Sequence, residues 1–185
     1  METKSTDTQT IEHSIKQILQ HIGENPEREG LIDTPARMIK MWSEIFRGYD
    51  SAQKPKITTF DNGKDGIQYN EPVTDSGAFY STCEHHFMPF FGQYYFAYIP
   101  DKKILGLSKV ARVVDYFSAR LQVQERLCAD IVNYLNQELQ PKAIGILMKG
   151  EHLCKTMRGA KKQGVMTTQY AIGFPSDEFR KLVSD

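Results

Sequence analysis

Two short segments of the sequence carry side chains that commonly bind metal ions. Cys83 and His86 are three positions apart, and Cys154 follows later in the segment His152-Leu153-Cys154. Two thiols and one imidazole make three ligands of the zinc type, whereas a structural zinc site normally has four. The set therefore predicts a catalytic metal site whose fourth position is open to water. His85 and His152 lie within two residues of these ligands, so both are candidates to donate or accept protons there.

The cysteines also allow less specific interpretations. Cys128 lies in a stretch with leucine and isoleucine at helical spacing, so we expect a buried thiol there with no role in metal binding. A disulfide between Cys83 and Cys154 is the alternative to a metal site. An odd number of cysteines and a polar N-terminus without an export signal instead favour a reducing, cytoplasmic location.

A second group of side chains is suited to bind an anion. Ser108 is expected at a helix N-cap, with Lys109 and Arg112 three apart in the following turn. Hydroxyl, ammonium, guanidinium and free backbone N–H groups could converge there on a phosphate, although a solvated helix face is the simpler interpretation. Arg158 adds positive charge close to Cys154 in the sequence. Charge next to the predicted metal site favours a phosphorylated substrate.

Gln124 and Glu125 open the next predicted helix. A carboxylate is favoured at a helix start by the helix dipole, so Glu125 needs no further role to explain its position. A carboxylate can also accept two N–H bonds from the edge of a guanine, and adenine lacks that pair of donors. The functional interpretation is therefore a guanine-binding site.

These residues need elements to position them, and the N-terminal part of the chain is predicted to be helical. Isoleucine and leucine at helical spacing from Ile11 to Ile22 mark a first helix. A second helix is predicted with Thr34 as N-cap and Pro35 at the first helical position. Arg37 and Lys40 lie three apart on its polar face, where they could also meet an anion. The pair otherwise resembles a packing or oligomerisation arm.

Strand patterns begin after residue 55. Short strands are predicted at 57–60 and 143–149, a long aromatic strand at 89–100 and a final strand at 166–174. Between them, apolar spacing predicts two helices, the second at about 123–140. The Cys83 to His86 segment must turn, because residues three apart on a strand point to opposite faces. The predicted class is α+β, with a mainly antiparallel sheet and helices on one face.

Length and composition narrow the classes of function. A chain of 185 residues fits one domain with a substantial core. Lysine plus arginine and aspartate plus glutamate both number 23, so no overall basic field favours nucleic-acid binding. No apolar run reaches membrane-spanning length. We therefore expect a protein that binds neither nucleic acid nor membrane.

Several of these segments, in this order, resemble the signature segments of the GTP cyclohydrolase I family. They are Ser81-Thr82-Cys83-Glu84-His85-His86, Ala97-Tyr98-Ile99-Pro100, Gly106-Leu107-Ser108-Lys109, Gln122-Val123-Gln124-Glu125-Arg126-Leu127 and His152-x-Cys154-x-x-x-Arg158-Gly159. The resemblance runs from about residue 29 to the final strand. Its last part departs from the usual family spacing, because Gly173 directly precedes Phe174.

The resemblance implies an activity and a fold. The activity is zinc-dependent hydrolysis of GTP to 7,8-dihydroneopterin triphosphate and formate, the entry step to folate or other pterins, and the fold is the tunnelling fold (T-fold). The family's functional residues fall on positions discussed above. They are zinc ligands Cys83, His86 and Cys154, catalytic histidines His85 and His152, triphosphate contacts Ser108, Lys109, Arg112 and Arg158, and guanine contacts Gln124 and Glu125.

The resemblance also implies an assembly. Family members form a homodecamer of two stacked pentamers with active sites between subunits, and Arg37 and Lys40 match positions that reach the triphosphate from a neighbouring subunit. Residues 1–185 would then be a single domain, with a helical arm at 1–50 and the catalytic core at 51–185. Two alternatives remain, another T-fold enzyme acting on a pterin or deazaguanine and a non-catalytic, zinc-stabilised assembly module.

Overall fold

The computed structural model describes residues 7–183, and the chain divides between Arg47 and Gly48 into two compact units. The first unit contains helices α1 (Thr8–His21) and α2 (Thr34–Ile45), both predicted from apolar spacing. The predicted N-cap of α2 is wrong by one residue. Asp33 takes that position because its carbonyl already accepts the first helical bond, from the Arg37 amide at 3.0 Å.

A five-stranded sheet forms the centre of the second unit. Its strands, in spatial order, are β5 (Leu121–Gln122), β2 (Val73–Cys83), β3 (Pro89–Ile99), β6 (Ala143–His152) and β7 (Val165–Ile172). All neighbours are antiparallel except β5, which pairs with β2 in parallel. Two short strands, β1 (Thr59–Asp61) and β4 (Lys103–Leu105), pair separately. The mainly antiparallel sheet is as predicted.

Two helices cover one face of this sheet. They are α3 (Lys109–Ser118) and α4 (Gln124–Leu139), and their apolar residues share one core with every second residue of β3 and β6. Val113, Leu127 and Ile131 in this core are completely buried. Burying such side chains stabilises the fold by about 1.5–3 kcal/mol each. The helices thereby hold the ends of β2 and β6, where the predicted ligands lie, against a rigid support.

The sequence patterns missed several elements, of which the two longest are β2 and a C-terminal helix. Strand β2 was not predicted, because its outer half is largely exposed and it is rich in small polar residues. Helix α6 (Ser176–Val183) was also missed and packs on the opposite face of the sheet, where Phe179 and Val183 contact Ala97 and Leu147. Gly173 permits the preceding turn, because its φ is +78° and a Cβ there would lie 2.5 Å from the Lys142 carbonyl oxygen.

The remaining helix of the second unit is a single turn, α5 (Leu153–Thr156), which directly follows β6. No helix between residues 7 and 183 has the length and apolar composition needed to cross a bilayer.

Candidate active site

The turn that was predicted after Cys83 is present. Strand β2 ends at Cys83, residues 84–86 form the turn, and the Cys83 amide donates to the Met88 carbonyl oxygen at 2.8 Å. Phe87 completes the reversal with a φ of +55°, and its amide donates to the Cys83 carbonyl oxygen at 2.9 Å. Because the chain reverses here, His86 points back toward Cys83. On a regular strand, residues three apart would point to opposite faces.

Cys154 reaches the same place through the sheet register. His152 pairs with Phe90 across β6 and β3, while Ser81 pairs with Phe90 across β2 and β3, so the ends of β2 and β6 flank the same point of β3. One ligand atom each from Cys83, His86 and Cys154 lies within 4.8 Å of the others. The structure thus brings the three predicted ligands together into a group that can hold a metal ion. This group is called the metal corner below.

The chemistry of the metal corner fits a divalent cation. All three cysteines of the chain are free, Cys83 is buried and Cys154 is partly exposed. Burial raises the pKa of the Cys154 thiol, and the hydrogen bond and charge of Cys83 raise it further. The Cys154 thiol therefore resists ionising without a positive charge beside it. Two sulfur ligands and one nitrogen ligand are typical of zinc, and this set leaves one position open.

His86 is held from its outer side by Arg158. The Arg158 guanidinium donates to His86 Nε2 at 2.8 Å, and His86 Nδ1 lies 3.8 Å from Cys83 Sγ. Arginine has no acceptor, so the nitrogen facing it must offer a lone pair. A neutral imidazole has one lone pair, so His86 can bind a metal only after its Nε2 is released from Arg158, whose side chain is exposed to solvent. The position of Arg158 places a fixed positive charge at the edge of the metal corner.

His85 lies on the exposed side of the same turn. Its Nδ1 is 3.7 Å from Cys83 Sγ, and its Nε2 is 3.8 Å from Glu84 Oε1. Glu84 also forms an ion pair with Arg126 on α4, and this hydrogen bond lowers the pKa of the Glu84 carboxyl. The turn is therefore tied to α4 at its first residue, Glu84, while His85 is exposed to solvent.

His152 lies in a more enclosed environment than His85. Its ring stacks on Phe90 with a centroid distance of 4.5 Å and an interplanar angle of 6°. Its Nε2 lies 3.0 Å from Gln124 Oε1. Burial lowers the pKa of His152 below its ordinary value, and the nearby Glu125 carboxylate opposes this shift. The imidazole is therefore neutral at pH 7 and can accept a proton.

The predicted guanine contacts occupy two different environments at the start of α4. Glu125 is exposed in the first turn, where it is accessible to a ligand. The Gln124 side chain is 1% exposed and points inward. Its amide nitrogen lies within 3.0 Å of three acceptors on β6 and β7, and its oxygen faces His152. The guanine contact of Gln124 stays a prediction, and its side chain is already fully paired.

The predicted anion-binding residues lie in three places. Ser108 is at the N-cap position of α3 with its hydroxyl uninvolved in capping, and Lys109 and Arg112 follow it. Among residues 7–183, no hydrogen bond or ion pair connects these three residues to the metal corner. Arg37 and Lys40 are exposed on α2 of the first unit, where Arg37 pairs with Asp33 at 3.5 Å. Within the second unit, Arg158 contacts the metal corner directly, through His86.

Comparison with known proteins identifies similar sequences along nearly the whole chain. A family model described as GTP cyclohydrolase I matches residues 11–181. A GTP cyclohydrolase 1 from Bartonella henselae is 46% identical over 91% of this chain and 82% of its own length. The corresponding protein from Sulfurihydrogenibium sp. is 48% identical over 87% of this chain and 83% of its own.

A third relative covers still more of the chain. A GTP cyclohydrolase 1 from Aquifex aeolicus is 44% identical over 96% of this chain and 97% of its own length. Among solved structures, the apo form of an archaeosine synthase QueF-Like is similar with a TM-score of 0.45 and 16% identity. That likeness covers 56% of this chain and 95% of that chain.

Proposed function

The chain belongs to the GTP cyclohydrolase I family and is an enzyme that acts on GTP, and we propose that it does so as a zinc hydrolase. The products would be 7,8-dihydroneopterin triphosphate and formate, in the first step of tetrahydrofolate or pterin synthesis. The observation that carries the proposal is the approach of Cys83, His86 and Cys154 to within 4.8 Å of one another beside two further histidines.

The metal would be held by these three residues. When bound, zinc supplies a Lewis acid that makes water a nucleophile at neutral pH. The chain's own contribution is to fix the ligands by the turn after β2 and by the register of β6, and to leave one coordination position open. His86 would give its one lone pair to the metal, so its hydrogen bond with Arg158 would have to break.

We propose that His85 and His152 move the protons of the reaction. Opening of the guanine imidazole ring needs proton donation to a ring nitrogen, and the later rearrangement of the ribose needs repeated proton transfer. His152 is suited to accept a proton because burial keeps it neutral at pH 7. His85 is exposed beside Cys83 Sγ, where it can exchange protons with solvent.

The remaining predicted residues would bind the substrate. Ser108, Lys109 and Arg112 at the start of α3 would bind the triphosphate together with Arg158, because cationic donors and a helix N-terminus favour phosphate oxygens. Glu125 would accept the guanine N–H pair from its exposed position, and Gln124 belongs to the same predicted subsite. Arg37 and Lys40 would reach the triphosphate of a neighbouring subunit.

We also propose that residues 1–185 act as one domain, an arm at 1–50 and a core at 51–185, within a homodecamer of two pentamers. The sheet supports this, since its outer strands β5 and β7 each have one unpaired edge that a neighbouring copy can extend. The apolar side chain of Val165 on β7 is 64% exposed, so it is available for contact with such a copy. The three free thiols support a cytoplasmic location.

The test is to incubate purified protein of measured zinc content with GTP and to follow formate and dihydroneopterin triphosphate. A sample stripped of metal by a chelator, and the same sample after zinc is restored, serve as controls. Both products, lost on chelation and regained with zinc, are expected. Zinc binding without turnover would indicate the assembly module, and turnover of another pterin or deazaguanine without zinc would indicate a different T-fold enzyme.

A further inference from the structure

Two glutamines near the start of α4 are buried in the same way but contact different groups. Gln122 is 2% exposed and Gln124 is 1% exposed. The Gln122 amide nitrogen donates to the Phe117 carbonyl oxygen and to Asp130, away from the histidines. The Gln124 amide instead spans β6 and β7 and reaches His152. A buried polar side chain requires an explanation, since most of the buried side chains are apolar.

The orientation of the Gln124 amide follows from its neighbours. Its nitrogen lies 3.0 Å from the carbonyl oxygens of both Met148 and Met166, and 2.9 Å from Thr168 Oγ1. Carbonyl oxygens only accept hydrogen bonds, so the NH2 end of the amide must face them. The amide oxygen is then the atom that lies 3.0 Å from His152 Nε2.

This orientation decides which nitrogen of His152 carries a hydrogen. The Gln124 amide oxygen can only accept, so His152 Nε2 must donate and the lone pair of the neutral ring lies on Nδ1. We propose that Gln124 is a positioning residue that fixes this tautomer and ring orientation, making Nδ1 the proton-accepting atom of His152. The catalytic part of this inference rests on the role proposed above for His152.

Two further contacts keep the amide in place. A Cβ on Gly150 would lie 2.4 Å from the Gln124 amide oxygen and 3.1 Å from the Phe79 ring, so only glycine leaves this space open. On the other side, Thr168 Oγ1 lies 3.3 Å from Cys128 Sγ, which extends the hydrogen bonds into the core. Gln124, Thr168 and Cys128 are called the amide corner below.

A side-chain contact between Gln124 and guanine would require this arrangement to break. Turning the amide outward would leave the Met148 and Met166 carbonyl oxygens without the donor they have now. Each buried acceptor left unpaired costs about 1–3 kcal/mol. A role for the Gln124 side chain through His152 requires no such loss.

The first test reads the tautomer directly in the zinc-loaded wild-type protein. Histidine labelled with 15N at both ring nitrogens is incorporated, and magic-angle-spinning NMR separates protonated from bare nitrogens. A His152→Gln variant assigns the His152 signals by their disappearance. A hydrogen on Nε2 and none on Nδ1 is expected at pH above the His152 transition. A hydrogen on Nδ1 would overturn the proposal, whether or not the protein turns over GTP.

The second test compares Gln124→Met with the matched control Gln122→Met. Both remove a buried amide of equal size, but only the first removes the partner of His152. We expect Gln124→Met to lower kcat about 10- to 100-fold, with KM for GTP within about threefold of wild type and zinc retained. Gln122→Met should lower the melting temperature without this loss of kcat.

Three outcomes separate the possibilities. In Gln124→Met, mixed His152 tautomers together with a lower kcat would support positioning. A higher KM for GTP with kcat and the wild-type tautomer unchanged would overturn it and assign the Gln124 side chain to guanine binding. Equal loss of kcat in both glutamine variants would also overturn it, because the effect would then come from the loss of any buried amide.

Discussion

The metal corner and the amide corner lie on either side of His152 and differ in how their polar groups are satisfied. In the metal corner, Cys83 pairs with Cys154 and with His86 through weak sulfur hydrogen bonds, and two of the three residues are partly or fully exposed. In the amide corner, every polar atom of Gln124 is paired and the side chain is buried. The metal corner therefore keeps groups available to a ligand, whereas the Gln124 side chain in the amide corner has all its hydrogen bonds made.

The difference indicates that the two corners have different roles in the site, one in binding a ligand and the other in fixing geometry. Groups that meet a metal or a substrate must keep lone pairs or donors available, which costs stability when they are partly buried. A complete hydrogen-bond network has nothing to offer a ligand but holds its members in one geometry. His152 connects the two corners, since it is two residues from Cys154 in the chain and is hydrogen-bonded to Gln124. The following variants test this comparison, beginning with the largest expected effect.

Cys154→Ser should destroy the metal corner. A serine hydroxyl is a poor zinc ligand, so zinc is expected to dissociate and GTP turnover to fall about 1,000-fold or more, since a catalytic metal contributes several kcal/mol. Zinc content by elemental analysis and formate release measure the two effects. Full activity with zinc retained would remove Cys154 from the ligand set.

Glu125→Gln should alter substrate choice while both corners stay intact. The variant keeps the size of the side chain but loses the charge that accepts two N–H bonds, so the preference for GTP over ATP should fall about 10- to 100-fold. Competition between the two nucleotides measures this preference. Glu138→Gln, at an exposed position near the other end of α4, is the control. Unchanged selectivity would contradict the assigned role.

Gly150→Ala should disturb the amide corner without removing a polar group. The new methyl group would overlap the Gln124 amide oxygen, so we expect kcat to fall about 10-fold with zinc content unchanged. Gly145→Ala is the control, because its methyl group would meet Phe179 on the opposite face of the sheet. If both variants lost only stability, Gly150 would have no connection to the site.

Cys128→Ser should have the smallest effect. The thiol is completely buried, and burial raises its pKa to about 11, so it stays protonated and does not act as a ligand. Serine keeps a hydrogen-bond partner for Thr168, so activity should remain within about threefold of wild type and the melting temperature should fall slightly. Zinc loss comparable to that of Cys154→Ser would remove the distinction between the two cysteines.

Local chemistry explains why much of the site was predictable. The spacing of Cys83 and His86 required a turn, and the structure has it at residues 84–86. Apolar spacing located α3 and α4, and the aromatic segment located β3. The α+β T-fold class is confirmed by family membership and by the antiparallel sheet with two helices on one face.

The missed elements have patterns that are weak when read alone. Strand β2 carries the first ligand, but its exposed outer half lacks the alternation of apolar residues that marks a half-buried strand. Helix α6 has only eight residues. Its apolar side chains are explained by their packing against Ala97 and Leu147 on the far face of the sheet. Helix α6 is stabilised by partners that are distant in sequence, whereas β2 is stabilised mainly by pairing with the next strand, β3.

By itself, the sequence determined which side chains can bind a metal, carry protons or recognise a purine, because those capacities belong to the residue types and to short spacings. The tertiary structure alone decided the contacts of the Gln124 side chain. The family resemblance implied a guanine contact for Gln124, whereas its three acceptors come from β6 and β7, 24 to 44 positions further along the chain. A hydrogen bond depends on where two strands pass in space, and no local pattern of residues contains that information.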